Sequence, residues 1–430
     1  MLGVAGGAGL LSAAVPQLLV AAVCVAVPVG LLYWVIARCG APEASERRFL
    51  CQIFLLALAL RFAVATITYL LLPYGFFAPD EAGYTFYGAE LASSGLGSPA
   101  DVIESVHGWL YVNAVFIHFL GSEAGLLIRL LNTPLGALLP VLSYKLATQI
   151  GGSLTAARLA AGLTAAFPSL VLWSSLNLKD AAIHVLILGT LLLGLQLQKR
   201  FRVQHVFLIV LLLAMTSVLR PYLLLPLIIG VLVAQLVARR QVFANLFAVV
   251  GVAALLVVPL ALWLPGLVNW YLHAANLESV QTVRVGFASG AGSSFLGSPA
   301  IRTPPDLLRF LPSGLLHFFL GPFPWSSAGT LHGLTEIEML MYYLLLPFCV
   351  VGIRRALVRR ASVALPVLAF MGVLALGYAA ALANFGTVFR LRGQLLVIML
   401  CFAALGLSSR AARPARKATA VPQLPPASLA

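Results

Sequence analysis

Charge is what this sequence lacks most. Asp, Glu, Lys and Arg together make up 9% of the 430 residues, while apolar side chains make up 61%. A soluble globular chain carries about a quarter of its residues as charges, so a water-soluble domain is excluded. Cysteine is scarce too. Cys24, Cys39, Cys51, Cys349 and Cys401 each lie in or beside an apolar run, and none forms a CxxC pair. That excludes a disulfide framework and a zinc–thiolate site. No Lys or Arg precedes Arg38. The positive n-region of a cleavable signal peptide is therefore missing, and residues 18–36 are expected to stay as a span. The residue-by-residue alternation of a membrane barrel is absent, as are an HExxH motif and any internal repeat.

What the chain has in quantity is apolar sequence in runs of about 18 residues or more, the length that crosses a bilayer. The fold expected is an all-α polytopic membrane bundle. About eleven spans are predicted: 15–37, 50–73, 126–147, 157–174, 181–197, 205–219, 222–237, 244–264, 338–353, 363–382 and 394–409. The stretch 107–120, "HGWLYVNAVFIHFL", is too short and too polar to cross and is read as interfacial or re-entrant. Residues 1–410 make the transmembrane domain. Within it, 74–125 and 265–337 are large loops on one side, and 311–325 suits a membrane interface. From 411 to 430 the tail is basic, rich in Pro and Ala, and expected to be disordered.

The net charge of +14 would suit nucleic acid, but its distribution argues for a membrane. With the N-terminus outside, 18 of the 27 basic residues fall on the cytosolic side, in the short loops and tail, as the positive-inside rule expects. Most of the 13 acids then fall outside. Acids contribute little to topology, so their segregation suggests a use. The expected location is the inner (plasma) membrane, with a site facing the periplasm or exterior and no nucleic-acid partner.

Four stretches on that face could carry chemistry. "PDEAGYTFYGAEL" places Asp80 and Glu81 where a helix starts. Each could be a simple helix cap, or a carboxylate positioned to take a proton from an incoming hydroxyl. Glu81, Tyr84 and Tyr87 share a face, so this helix is expected to lie on the membrane surface. "SSLNLKDAAIHV" puts Lys179 and Asp180 in a short turn between spans. "SVLRPYLLLP" ends one span at Arg220 and opens the next at Tyr222. "NFGTVFRLRGQ" sets Arg390 and Arg392 outside, against the positive-inside trend. Arginine binds phosphate oxygens through a planar fork of donors, and an anionic ligand would account for that placement. His107 is a further polar candidate for the substrate site. His332 and Glu336, four residues apart, could share a metal, so a divalent ion is left open as a cofactor. Arg61, deep in its span, is expected to pair within the bundle or snorkel.

An apolar span followed by "PDEAGYTFYGAEL" resembles the first outside loop of the GT-C-fold, polyprenyl-phosphate-dependent glycosyltransferases. The closest branch is the protein-mannosyltransferase-like and aminoarabinose-transferase-like one (glycosyltransferase family 39-like). The resemblance continues through "HGWLYVNAVFIHFLGSEAGLLIRLLN" to "SSLNLKDA" and covers residues 50–240; it rests on the order of these elements. It implies a sugar donor linked to polyprenyl phosphate and a glycan, lipid or protein acceptor, with transfer by inversion. It assigns Asp80 to catalysis or acceptor orientation, with Glu81 beside it, and Asp180 to the second acidic loop. Lys179, Arg220, Tyr222, Arg390, Arg392, Tyr84 and His107 are the residues chosen for substrate and phosphate. Two other readings stay open: a polysaccharide polymerase or O-antigen-ligase-like enzyme, and a glycolipid transporter or flippase.

Overall fold

The computed structural model describes residues 23–96, 108–121, 125–151, 153–237, 276–289, 293–295, 301–323 and 332–411. These residues are helical throughout, apart from turns and one isolated bridge between Ser294 and Asn384. The helices are α1 (Val23–Cys39), α2 (Ala44–Leu71), α3 (Pro79–Ser93), α4 (Gly108–Leu120), α5 (Gly125–Gly151), α6 (Leu154–Ala166), α7 (Pro168–Trp173), α8 (Asp180–Lys199), α9 (Val203–Leu219), α10 (Leu224–Leu236), α11 (Leu277–Ala288), α12 (Pro304–Leu320), α13 (His332–Ala381) and α14 (Phe385–Ala411).

Among the described residues, five helices are long and apolar enough to cross a membrane: α2, α5, α8, α13 and α14. Shorter apolar helices, α1, α4, α6, α9 and α10, fill in around them. Residue 360 interrupts α13, with Arg360 at φ −147° and ψ 52°, and the chain turns back on itself there. Met339 meets Arg392 near the start of α14, Arg360 reaches the Gln149 carbonyl at the far end of α5, and Tyr378 is again level with Gln394. The two halves therefore correspond to the separate spans expected at 338–353 and 363–382. The span expected at 244–264 and the tail from 412 lie outside the described residues.

Leu56, Leu70 and Leu71 on α2, Phe207 on α9, and Leu344, Val350 and Val358 on α13 all face outward. In water this much apolar exposure would drive aggregation; against lipid it is the favourable arrangement. The chain is thus an all-α membrane protein by length, composition and surface.

Three local expectations change. The span read as 157–174 is broken at Phe167, because Pro168 cannot supply the amide that would continue α6. The loop at 265–337 contains helices. Thr303 and Asp306 form a reciprocal capping box at the start of α12, with Pro304 at its first position. The segment holding Arg390 and Arg392 is the start of α14, so these residues sit on a helix rather than in a loop.

The bundle has two chemically different ends. Arg47, Arg158, Lys199, Arg200 and Arg360 gather at one end. There Glu46 accepts from Tyr144 Oη at 2.7 Å and pairs with Arg158. At the other end lie the start of α3, the 174–179 turn, the α9–α10 junction and the start of α14, which hold most of the candidate site residues.

Candidate active site

The turn between α7 and α8 is built before the site can be. Arg61, buried in α2, donates from Nε to Ser174 Oγ at 2.8 Å and from Nη1 to the Ala165 carbonyl at 3.3 Å. It pairs within the bundle, as the sequence suggested. Gly136 makes room: a Cβ there would lie 2.5 Å from Ser174 Oγ and 2.7 Å from Arg61 Nε. Asn132 donates to the carbonyls of Leu176 and Leu178 at 2.8 and 2.7 Å. These bonds satisfy a buried turn whose backbone would otherwise lack partners. They also fix Lys179 and Asp180 at the start of α8.

Glu81 belongs to this scaffold. Its two oxygens accept from Arg129 Nε and Nη2 at 2.6 and 2.7 Å, and Oε1 also accepts the Asn177 amide at 2.7 Å. Both side chains are almost fully buried. Asn177 in turn donates to Asn113 Oδ1 at 2.6 Å and accepts from Trp109 Nε1 at 2.9 Å. Glu81 therefore ties α3, α4 and α5 to the turn before Asp180. The helix does not lie free on a surface with Glu81 outward, because Arg129 and the Asn177 amide reward its burial.

Asp80 takes the opposite path. Adjacent helical residues point about 100° apart, so Asp80 leaves the scaffold and is 54% exposed. Its Oδ2 accepts from Arg390 Nη1 at 2.6 Å. Arg390 also donates from Nε to Asp180 Oδ2 at 2.9 Å, with Nη2 2.7 Å away. The other Asp180 oxygen accepts from Arg220 Nη2 at 2.8 Å. One guanidinium thus joins two carboxylates that are 100 residues apart in sequence, and the second secures the buried one.

Aromatic hydroxyls extend the cluster. Arg220 Nη1 donates to Tyr222 Oη at 3.2 Å, and Tyr378 Oη lies 3.4 Å from Tyr222 Oη and donates to Gln394 Oε1 at 2.8 Å. Tyr84 faces the same charges. Burial first, then the nearby Asp80 carboxylate, pushes its phenol up to about 12. Lys179 is the third cation. Burial first, then the Arg220 charge, pulls its ammonium down to about 8, with Asp180 opposing the shift. The centre therefore holds three cations against two carboxylates, and Asp80 opens it to solvent. It can accept an anion, and it presents a carboxylate beside that anion's place.

Other candidates lie elsewhere. Arg392 is two residues from Arg390, about 200° around the helix, and points away from the cluster. It donates to the Gly321 carbonyl at 2.6 Å and stacks on Tyr342, fixing the end of α12 instead of holding a phosphate. His107 and the His332 side chain fall outside the described residues. Glu336 is exposed near the start of α13, and among the described residues no three metal-ligating side chains come together. Tyr378 and Gln394 carry no charge and sit within apolar runs, so nothing in their letters marked them. Arg129 and Asn177, the partners of Glu81, were likewise hidden. No protein-family model, no curated protein and no solved structure matches the chain.

Proposed function

We propose that the protein is an integral-membrane glycosyltransferase of GT-C-like architecture with about eleven spans. In this reading it moves a sugar from a polyprenyl-phosphate donor to a cell-envelope glycan, lipid or protein on the outer face of the membrane. The observation that carries the reading is the Arg390 guanidinium bridging exposed Asp80 and buried Asp180, with Arg220 and Lys179 alongside. This surplus of cations suits a phosphate diester that becomes a phosphate monoester as it leaves. The resemblance around "PDEAGYTFYGAEL" supports the same assignment.

In the mechanism, the donor phosphate enters among Arg390, Arg220 and Lys179. Asp80 accepts the proton of the acceptor hydroxyl or amine as its oxygen or nitrogen attacks the anomeric carbon. The bond from that carbon to the phosphate oxygen breaks on the opposite face, and polyprenyl phosphate leaves with the electron pair. Cations aimed at the growing phosphate charge lower the barrier. Confinement of donor and acceptor to one membrane surface reduces the entropic cost of their meeting. Asp180, gripped by both arginines, sets their positions and is not free to take a proton.

Purified protein in liposomes, supplied with polyprenyl-phosphate sugars, tests this reading. Release of free polyprenyl phosphate is expected, and Asp80→Asn should abolish it while folding stays intact. Wild-type turnover in Asp80→Asn would remove the catalytic assignment. Passage of intact glycolipid across the bilayer without bond cleavage would favour a flippase.

A further inference from the structure

Away from this centre, α11 carries a buried cation with nothing to bond. Arg284 is 1% exposed, yet its Nε, Nη1 and Nη2 all lack a hydrogen-bond partner. The guanidinium carbon sits 3.8 Å from the centre of the Phe310 ring on α12. Stacking favours the cation but leaves its hydrogen-bonding edges free, because those edges lie in the plane of the fork. The acids on the flanking helices are not its partners. Asp306 accepts from the Thr303 amide, the Thr303 hydroxyl and the Arg302 amide, and Glu278 is exposed at the start of α11.

A buried guanidinium whose three nitrogens all lack a partner is strongly unfavourable when nothing compensates it. We infer that Arg284, held over the Phe310 ring, is a binding site for an oxyanion, a phosphate or carboxylate group that completes its fork. None of the hydrogen bonds of the Arg390 centre involves Arg284. Such a group could come from a soluble or acceptor-borne anion or from the headgroup of an anionic lipid.

The test uses the full chain in nanodiscs and reads thermal stability, so it needs no turnover and stands apart from the proposed glycosyl transfer. It is run on Arg390→Gln protein, which weakens the answer of the first centre, and every Arg284 form is compared in that same background. In phosphatidylcholine without added anion, the further change Arg284→Met is expected to raise the melting temperature by removing an unpaired charge. With inorganic phosphate added, or with phosphatidylglycerol in the disc, Arg284 protein is expected to gain stability, and its Met variant to need about tenfold more anion for the same gain. Arg284→Lys, which keeps charge but loses the fork, should fall between them. A response to phosphate in phosphatidylcholine points to a soluble or acceptor-borne anion; a response to phosphatidylglycerol alone points to lipid. If the Met variant does not fold, Arg284→Lys against Arg284 decides by the same comparison. Equal responses with and without the guanidinium, to both probes, would overturn the inference.

Discussion

Two ion-paired centres lie at the same end of this bundle, and adjacent residues on α3 lead into them. Glu81 enters a closed centre, with one carboxylate, one guanidinium and a backbone amide, nearly every donor and acceptor matched and almost no exposure. Asp80 enters an open one, with two carboxylates, two guanidinia and Lys179, and more than half of the Asp80 side chain in reach of solvent. The first has the chemistry of a fastener. The second has cations left over and a way in, which is the chemistry of a binding site. A buried ion pair whose donors and acceptors are matched reads as structure; the proposed function rests instead on a surplus of one sign next to an opening.

The strongest way to break that contrast is to unpair the closed centre. Arg129→Met leaves Glu81 buried without a counter-ion, which typically costs about 3–5 kcal/mol. Little folded protein is expected after extraction in detergent, measured by size-exclusion recovery and thermal melting. The double change Glu81→Leu with Arg129→Met removes both charges and should recover most of the folded yield. Full activity and stability in Arg129→Met alone would mean that Glu81 is not a fastener.

The open centre should answer differently. Arg390→Gln removes the bridge but leaves Asp180 paired with Arg220, so stability should change little. Transfer should fall by about 10²–10³, the effect of deleting one group that stabilises transition-state charge. The paired readout matters: a large loss of melting temperature with proportionate loss of activity would make Arg390 another fastener and erase the distinction between the two centres.

Much of this was legible in the chain. Apolar runs marked the helices because a span needs a fixed length of apolar sequence, and Asp80, Lys179, Asp180, Arg220 and Arg390 stood out because charge is rare. Their assembly at one end followed from the alternation of spans. Facing was harder to read. Arg390 and Arg392 look equivalent as letters, but α14 begins at Phe385 rather than near 394, and helical geometry then sends them apart. Glu81 and Asp80 were separated by Arg129, whose basic side chain in an apolar run gave no hint of its partner. Tyr378 and Gln394 join the site through tertiary packing of α13 against α14, for which neutral residues in apolar runs carry no periodic signal.

Lys179 offers a smaller effect with a sharp signature. Burial, then Arg220, lowers its ammonium from 10.5 to about 8. Below about 8 it is charged and able to hold phosphate; above that it goes neutral, so transfer is expected to decline as pH rises through 8. The unfolded chain keeps that proton up to about 10.5 and so binds more protons than the folded chain between those values. Its stability contribution therefore rises across the window in which activity falls. Lys179→Arg should flatten the alkaline limb of the rate profile, and Lys179→Gln should lower activity about tenfold at pH 7, the loss of one charge-assisted hydrogen bond to phosphate. An alkaline limb unchanged in Lys179→Arg would assign it to another group.

Tyr378 gives the smallest effect and the finest test of how the open centre is held. Its hydroxyl donates to Gln394 and lies against Tyr222, which itself receives Arg220. It hydrogen-bonds to neither carboxylate, and its hydrogen-bond route to Arg220 runs through Tyr222. Tyr378→Phe keeps the ring packed on Tyr222 and Phe318 and removes one neutral hydrogen bond, about 1 kcal/mol. If the hydroxyl only fastens α13 to α14, the melting temperature falls and the kinetic constants stay. If it orients Tyr222 and so aims Arg220, kcat falls about threefold to tenfold with KM for the donor little changed, and Gln394→Glu, which keeps the acceptor oxygen, leaves kcat near that of the wild type. A shift confined to melting temperature would draw the boundary of the open centre at Tyr222; a shift in kcat would extend it to the interface of α13 and α14.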